Sequence, residues 1–466
     1  MAETIKTKVL IVGGGMGGYV AAIRLGQLGI EHTLVEADKL GGTCLIRGCI
    51  PSKALIHAAT KFETVSKAAS GGTLGITAAS PSIDLSQTVA WKDGVVGKLN
   101  QGVTGLLKRA KTRVLYGWAT FSDAKTATVK TADGEVTVQA ENVLLAQGSL
   151  PVELPFLKFG GDVISSTEAL SLSEVPKRLV VVGAGYIGLE LGIALRKMGA
   201  EVTVVEALDR ILPLYDKALT DPVRKWLEKH GVTLHLGARA KGLSKDGKAL
   251  LIDDKDGKEL SLAADKILVT VGRKPATEGW GLENMAVDMD GRFVKVDDRC
   301  RTSMSGVYAV GDLVGEPMLA HKSAAQGEMV AEIIAGRDRR FDPVTIAAVC
   351  FTEPEVVSAG LLLSDVEGRD DVIQAVFPLQ AIGRARAIEA DEDGGFIRVI
   401  AHKGDHRILG IQGVGQHISE LSNEFALAME MGAVLEDVAG VIHVHPTLGE
   451  AFHEATLRAL GHAIHI

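Results

Sequence analysis

Residues 8–37 read KVLIVGGGMGGYVAAIRLGQLGIEHTLVEA. An apolar strand runs into Gly13-x-Gly15-x-x-Gly18, a helix carrying Ala22 follows, and a second strand closes on Glu36. Strand, glycine turn, helix and terminal acid together make the βαβ context that dinucleotide binding demands, which a bare glycine motif does not. The glycines allow the tight turn, admit a pyrophosphate against the backbone and let the helix pack on the strand. The helix N-terminus faces the phosphates. Glu36 stands where it can accept a hydrogen bond from a ribose 2′-hydroxyl.

Residues 178–207 read RLVVVGAGYIGLELGIALRKMGAEVTVVEA. Gly183, Gly185, Gly188 and Glu206 repeat the spacings of Gly13, Gly15, Gly18 and Glu36; Gly29 and Gly199 correspond, and both units end in Val-Glu-Ala. A duplicated scaffold alone would not require both copies to keep glycines and acid. Two dinucleotide sites are the simplest reading, in an α/β chain with two Rossmann-like units. Glu206 would repel a 2′-phosphate and no arginine replaces it, so the second site favours NAD over NADP.

Between the two units, residues 41–53 read GGTCLIRGCIPSK and hold two of the four cysteines, Cys44 and Cys49. In one regular helix this spacing would separate the side chains by roughly 7–8 Å along the axis. A bridge therefore requires Cys44 on irregular backbone leading into a helix. Gly41, Gly42 and Gly48 supply that irregularity, and Pro51 suits a first helical turn. Cys49 would then lie near a helix N-terminus, where the dipole, Arg47 and Lys53 favour its thiolate. Two unrelated buried cysteines are the competing reading. Cys300 and Cys350 read as small core residues.

A chain of 466 residues is too long for one ordinary core and implies several domains. High aliphatic and glycine content with 4% aromatics suits parallel sheets. A net charge of -8 without a basic run argues against nucleic-acid binding. The apolar run near the N-terminus is short and ends in glycines, unlike a signal peptide, and no stretch approaches the roughly 20 apolar residues that span a bilayer. These features predict a cytoplasmic location, with no nucleic-acid or membrane partner.

Residues 52–69 and 85–110 are predicted helices. Residues 114–140 are predicted short strands around an Asp133-Gly134 turn. A separate strand over 142–146 ends at Gln147-Gly148, a candidate first boundary. A helix over 214–230, a hairpin around Asp256-Gly257 and a strand over 266–271 lead to Gly272-Arg273-Lys274-Pro275, a second boundary. The strand over 306–310 delivers Asp312 at its C-terminal end, where open α/β sheets bind ligands; capping of the next turn is the alternative role. Beyond it, antiparallel strands over 396–400 and 407–414 and helices near 418–431 and 449–460 make an α+β module without its own nucleotide fingerprint.

Residues 441–453 read VIHVHPTLGEAFH. Pro446 keeps His445 out of helical geometry, and Glu450 follows at the start of the last long helix. A carboxylate orienting a neutral imidazole makes a general base near pH 7. Two alternatives compete. Thr447 to Glu450 also reads as a capping box. His443 and His445 could also be a metal pair, but no further ligand completes a site and no metal is expected.

Together these elements resemble the flavoprotein pyridine-nucleotide–disulfide oxidoreductases over essentially the whole chain: both fingerprints, GGTCLxxGCIPSK, VGRKP, GVYAVGDL and HVHPTLGEAF. The resemblance implies an FAD-binding domain from 1–147 and 276–346, an NAD-binding domain from 148–275, and a C-terminal dimerisation domain from 347–466. It places Gly13, Gly15, Gly18, Glu36 and Asp312 on FAD and Gly183, Gly185, Gly188 and Glu206 on NAD. Lys53, Gly148, Ala320 and Gly272 join them as cofactor-binding positions, Lys53 beside the flavin and paired with Glu190. Cys44 and Cys49 become a redox-active disulfide, Cys44 the outer sulfur and Cys49 the one facing the flavin. His445, oriented by Glu450, becomes the acid/base and reaches the cysteines of the other subunit of a homodimer.

Within the family the likeness is greatest to members that oxidise protein-bound dihydrolipoamide with NAD. The implied partner is the lipoyl domain of a 2-oxo acid dehydrogenase acyltransferase or of the glycine cleavage system. The stretch MLAHKSAAQGEMVAEIIAG and the ending LRALGHAIHI look like the form serving branched-chain 2-oxo acids. Reduction of another disulfide and a non-catalytic scaffold are the alternatives. Three positions depart from the family pattern: Ile46-Arg47 between the cysteines, where Arg47 would further stabilise thiolate, Gln147 in place of threonine, and Met16 in place of proline.

Overall fold

The structure is a computed structural model and describes residues 3–72, 74–390 and 394–466. Its first sheet grows from the N-terminal unit as read from sequence: β1 (Glu3–Val12), α1 (Met16–Gln27) and β2 (His32–Glu36). After them come α2 (Cys49–Ala69) and α3 (Leu85–Arg109), then β3 (Arg113–Phe121), β4 (Thr126–Thr131) and β5 (Gly134–Leu145). β2 and β5 flank β1 in parallel, and the strand Val307–Ala309 runs parallel to β5. Val9, Leu10, Ile11, Leu144 and Leu145 are fully buried: α1, α3 and the helix Ala320–Ile334 cover Val9, Ile11 and Leu144 on one face, while β3, β4 and the Trp280–Met285 segment cover Leu10 and Leu145 on the other. The strand expected over 142–146 is present to Leu145 but is not separate, being the end of β5. β5 is one strand of 12 residues, because β1 pairs with it from Val136 to Leu145 while β4 holds only its first half.

The second unit builds a five-stranded parallel sheet ordered Thr233–Leu236, Glu201–Glu206, Arg178–Val182, Lys266–Val269 and Val163–Ile164. Its helix, Tyr186–Lys197, is buried along most of its length. The predicted 214–230 helix occupies Lys217–Lys229, and the Asp256-Gly257 hairpin joins Ala249–Asp253 to Glu259–Ala263. The segments Ser149–Pro151 and Arg273–Pro275 pair antiparallel where the chain passes between the two sheets.

The C-terminal part is a five-stranded antiparallel sheet. It contains the two expected strands, Phe396–His402 and Ile408–Gly415, and three that the sequence reading left unassigned: Ala348–Cys350, Glu355–Gly360 and Val372–Pro378. Phe377, Phe425 and Phe452 fill its core, under the helices Ser422–Glu430 and Glu450–Ala459. A short helix at Leu435–Gly440 was also unassigned. Among the described residues, no helix is long and apolar enough to cross a membrane.

Candidate active site

The two glycine loops are built alike. A Cβ on Gly18 would lie 1.8 Å from the Gly13 carbonyl oxygen, and one on Gly188 2.4 Å from that of Gly183. Only glycine lets each helix start so close to its strand. In front of the helices there is room instead: a Cβ on Gly185 meets nothing within 4 Å, and one on Gly15 meets only Gly42 Cα at 3.8 Å. Gly15 and Gly185 are the N-caps, neither helix has a side-chain cap, and neither has an acid in its first turn. The first-turn N–H groups are left for a phosphate, so both loops fit the dinucleotides that the resemblance implies.

The acids repeat the symmetry. Glu36 accepts from Gly14 N at 2.6 Å and Asp38 N at 2.8 Å; Glu206 accepts from Ala184 N at 2.7 Å and Leu208 N at 2.9 Å. Each carboxylate is thereby held at the rim of its loop with acceptor capacity to spare for ribose hydroxyls. Asp312, in the short turn after Val307–Ala309, does not cap that turn. It accepts from Ser149 Oγ at 2.5 Å. Arg273 donates to Ser149 Oγ at 2.8 Å and to the Ser149 carbonyl at 2.7 Å. This Arg273–Ser149–Asp312 chain was absent from the sequence reading, because its members come from three distant segments.

The cysteine stretch sits directly on the first loop. Gly42 packs so tightly that a Cβ there would lie 2.5 Å from Gly15 Cα. Thr43–Arg47 forms a π-helical turn, and after Gly48 the chain enters α2 with Cys49 as its first residue. A Cβ on Gly48 would lie 2.8 Å from the Thr43 carbonyl oxygen, so this junction needs glycine. The irregular backbone expected for Cys44 is thus a π turn. Both cysteines are free thiols, Cys44 half-buried and Cys49 exposed.

The two thiols hydrogen-bond each other, and the bond splits their acidities. It is the largest influence raising Cys44, with burial adding to it. The same bond, helped by the Lys53 charge and opposed by burial, lowers Cys49 to about 7. Lys53 is the cation that serves Cys49. Arg47, expected to help, instead pairs with Asp38. Lys53 Nζ donates to Glu190 Oε2 at 2.8 Å and lies 4.4 Å from the centroid of the Phe351 ring. Buried Glu190 also accepts from Phe351 N at 2.9 Å. Tyr186 lies within range of the charges on Glu190, Arg273 and Cys49, and burial first, then Glu190, holds its hydroxyl above the ordinary value. Cys300 and Cys350 are buried, as expected, and burial pushes each to about 12.

At the other end of the chain, His445 Nδ1 meets Glu450 Oε1 at 2.8 Å. Glu450 Oε2 accepts from Thr447 N at 2.8 Å, while the Thr447 hydroxyl turns to the Val444 carbonyl. One carboxylate therefore orients the imidazole and ties down the turn, so both readings of Glu450 hold in part. Burial works to raise Glu450, yet the bonds from His445 and Thr447 hold it below its ordinary value. His443 takes another course: it stacks on His453 with centroids 4.8 Å apart and faces Glu424 at 3.3 Å. No group of three or more His, Cys, Asp or Glu that could hold a metal occurs among the described residues.

His445 is not among the groups that set the two thiols in this chain. Its side chain is 77% exposed, and Val441, Ile442 and Val444 beside it are all exposed, Ile442 at 96%, an apolar run of the kind that marks an interaction surface.

Comparison with known proteins accounts for that surface. Residues 7–327 match the pyridine nucleotide-disulphide oxidoreductase family, and residues 346–456 match its dimerisation domain. A dihydrolipoyl dehydrogenase from Pseudomonas aeruginosa is 57% identical over 100% of both chains. Another from Geobacillus stearothermophilus is 44% identical over 99% of this chain and 98% of its own. Among solved structures, LpdA from Mycobacterium tuberculosis superposes with a TM-score of 0.88 at 27% identity, covering 97% of this chain and 99% of that one. With two nucleotide loops, a dithiol seated on the first of them and a dimerisation module at its end, the chain belongs to the pyridine nucleotide-disulphide oxidoreductase family.

Proposed function

We propose that this chain is a homodimeric flavoprotein that oxidises dihydrolipoamide to lipoamide and reduces NAD. The observation that carries the reading is the unequal dithiol, whose acidic sulfur, Cys49, has Lys53 acting on it while Cys44 is the less acidic; Cys44 is the sulfur that would exchange with substrate. In the oxidised enzyme Cys44 and Cys49 are joined as a disulfide. His445 takes the proton from one substrate thiol, and the resulting thiolate bonds to Cys44. The disulfide breaks, and Cys49 leaves as thiolate, as the lower-pKa sulfur should. The second substrate thiol then displaces Cys44, closing the lipoamide ring and leaving the enzyme with two more electrons. Glu450 holds the imidazole by Nδ1 throughout, so that Nε2 is the atom that receives the proton.

Gly13, Gly15, Gly18, Glu36, Lys53, Gly148, Asp312 and Ala320 would hold FAD, and Gly183, Gly185, Gly188, Glu206 and Gly272 would hold NAD. When bound, FAD would supply the acceptor for the dithiol's electron pair and NAD the acceptor for hydride. The antiparallel pairing of Ser149–Pro151 with Arg273–Pro275 supports domain limits at 147/148 and 275/276, with a third at 346/347.

The exposure of His445 and Ile442 supports a base that serves the other subunit's sulfurs. For partners we propose the lipoyl domain of a 2-oxo acid dehydrogenase complex, branched-chain among the candidates, or of the glycine cleavage system, and a cytoplasmic place of work. The test is direct: the purified protein, given dihydrolipoamide and NAD, should form NADH and carry a flavin spectrum. A colourless protein, or one that reduces glutathione disulfide instead, overturns the reading.

A further inference from the structure

Gln147 follows Ala146, whose N–H donates to the Val12 carbonyl at 2.8 Å and so continues the β1–β5 ladder one step past the strand end. The next residue, Gly148, turns the chain with a φ of +74°. Gln147 is therefore pinned at the C-terminal ends of β1 and β5. Its backbone nitrogen lies 3.1 Å from where a Cβ on Gly13 would stand, which sets it against the first glycine loop.

Its carboxamide is buried, and neither Nε2 nor Oε1 has a hydrogen-bond partner. Among the described residues it is the one side chain orphaned at both ends: Gln412 lacks a partner at Oε1 only, since its Nε2 donates to Leu361. A buried amide donor and acceptor left unmade are costly, and chains avoid that unless something else supplies the bonds.

We infer that Gln147 binds the FAD of the first nucleotide site through both ends of its carboxamide. The chemistry of the two unpartnered carboxamide atoms selects the ligand class. A phosphate oxygen can only accept and would leave Oε1 unmet, whereas a hydroxyl can both donate and accept. A phosphorylated polyol satisfies both ends, and FAD brings ribityl and ribose hydroxyls beside its pyrophosphate to a loop shaped for the latter. Gln147 thus acts as a cofactor-holding residue that reaches farther than the threonine expected at this position. The inference rests on the FAD assignment made above for the first glycine loop.

The test compares wild-type holoenzyme with Gln147→Leu and Gln147→Thr. Flavin fluorescence follows release of FAD on dilution into mild chaotrope, and tryptophan fluorescence follows unfolding of the same samples. Gln147→Leu should release FAD about tenfold faster, the worth of one to two hydrogen bonds. Unfolding of the stripped protein should come no earlier than in wild type, because the leucine removes two unmet polar atoms. Gln147→Thr should fall between the two. Equal release rates in all three proteins would overturn the inference and mean that ordered water fills the site. Equal release with earlier unfolding of Gln147→Leu would overturn it in favour of a structural role. A wild-type protein that carries no flavin would instead sink the FAD assignment itself.

Discussion

Lys53 and Glu190 meet at 2.8 Å across 137 residues of chain, and the pair joins the helix that begins with Cys49 to the helix of the second nucleotide unit. The two charges act on Cys49 in opposite senses, Lys53 favouring the thiolate and Glu190 opposing it. Lys53→Met should therefore raise the pH at which the reduced enzyme's thiolate-to-flavin absorbance appears by about one to three units. Glu190→Gln should lower it. Spectrophotometric titration reads both shifts, and a shared direction would refute the arrangement.

The depressed value of Cys49 also sets a window for the unmutated enzyme. A thiol lowered to about 7 is thiolate above that pH and is lost as pH falls through it. The long-wavelength band of the dithiol-reduced protein should titrate in this range. A band that persists unchanged to pH 4 would place the thiolate on different chemistry.

His445→Gln should slow dihydrolipoamide oxidation by about 10²–10⁴-fold, the usual worth of a positioned base. Electron transfer from NADH to the flavin, measured with an artificial acceptor, should persist, since His445 touches neither glycine loop. Glu450→Gln should impair the same half-reaction less, because Nδ1 keeps a partner. Equal loss in both half-reactions would point to misfolding of the C-terminal part.

The near-identical loops give a test of which nucleotide each one holds. Gly18→Ala forces a methyl onto the Gly13 carbonyl and should cost the protein its flavin. Gly188→Ala meets both the Gly183 carbonyl and Thr270 Oγ1 at 2.4 Å; it should keep the yellow colour and raise the KM for NAD about tenfold or more. Absorbance and steady-state kinetics separate the two cases.

Lys197 is buried between Glu63, at 3.1 Å, and Glu353, at 2.5 Å. Burial alone would lower its pKa, but the two carboxylates hold it raised, so the stabilisation is complete at neutral pH and fades only as pH climbs through that raised value. Lys197→Met strands partly buried Glu353, whereas Glu63 keeps Lys67 at 3.5 Å and His230 at 3.7 Å, so the cost in urea unfolding at pH 7 should be about 3 kcal/mol, the low end for a broken buried pair. A loss under about 1 kcal/mol would mean that water reaches the site freely.

The two nucleotide units were legible because their logic is local. Strand, glycines, helix and acid lie within 30 consecutive residues, and steric demands such as the Gly18–Gly13 contact leave glycine no substitute. The Cys44–Cys49 junction and the His445–Glu450 pair are local too. What escaped the sequence is set by tertiary pairing. β5 looked broken at its polar middle, yet β1 carries it through. Ala348–Cys350 is only three residues long and pairs with the next strand, too short to show a pattern of its own, while Val372–Pro378 forms against Phe396–His402, well along the chain. Arg47 failed as a thiolate partner because Asp38, invisible as a neighbour in the linear order, takes up its charge.

His445 stands at the surface and is not among the groups acting on Cys44 and Cys49 of its own chain, so a base that serves the other subunit, as proposed above, would have a genetic signature. Two dead proteins, one Cys44→Ser and the other His445→Gln, would regain turnover when their subunits are allowed to exchange, since each hybrid assembles one undamaged centre from the halves its parents kept. Such complementation cannot arise in an enzyme whose reacting groups all belong to a single polypeptide.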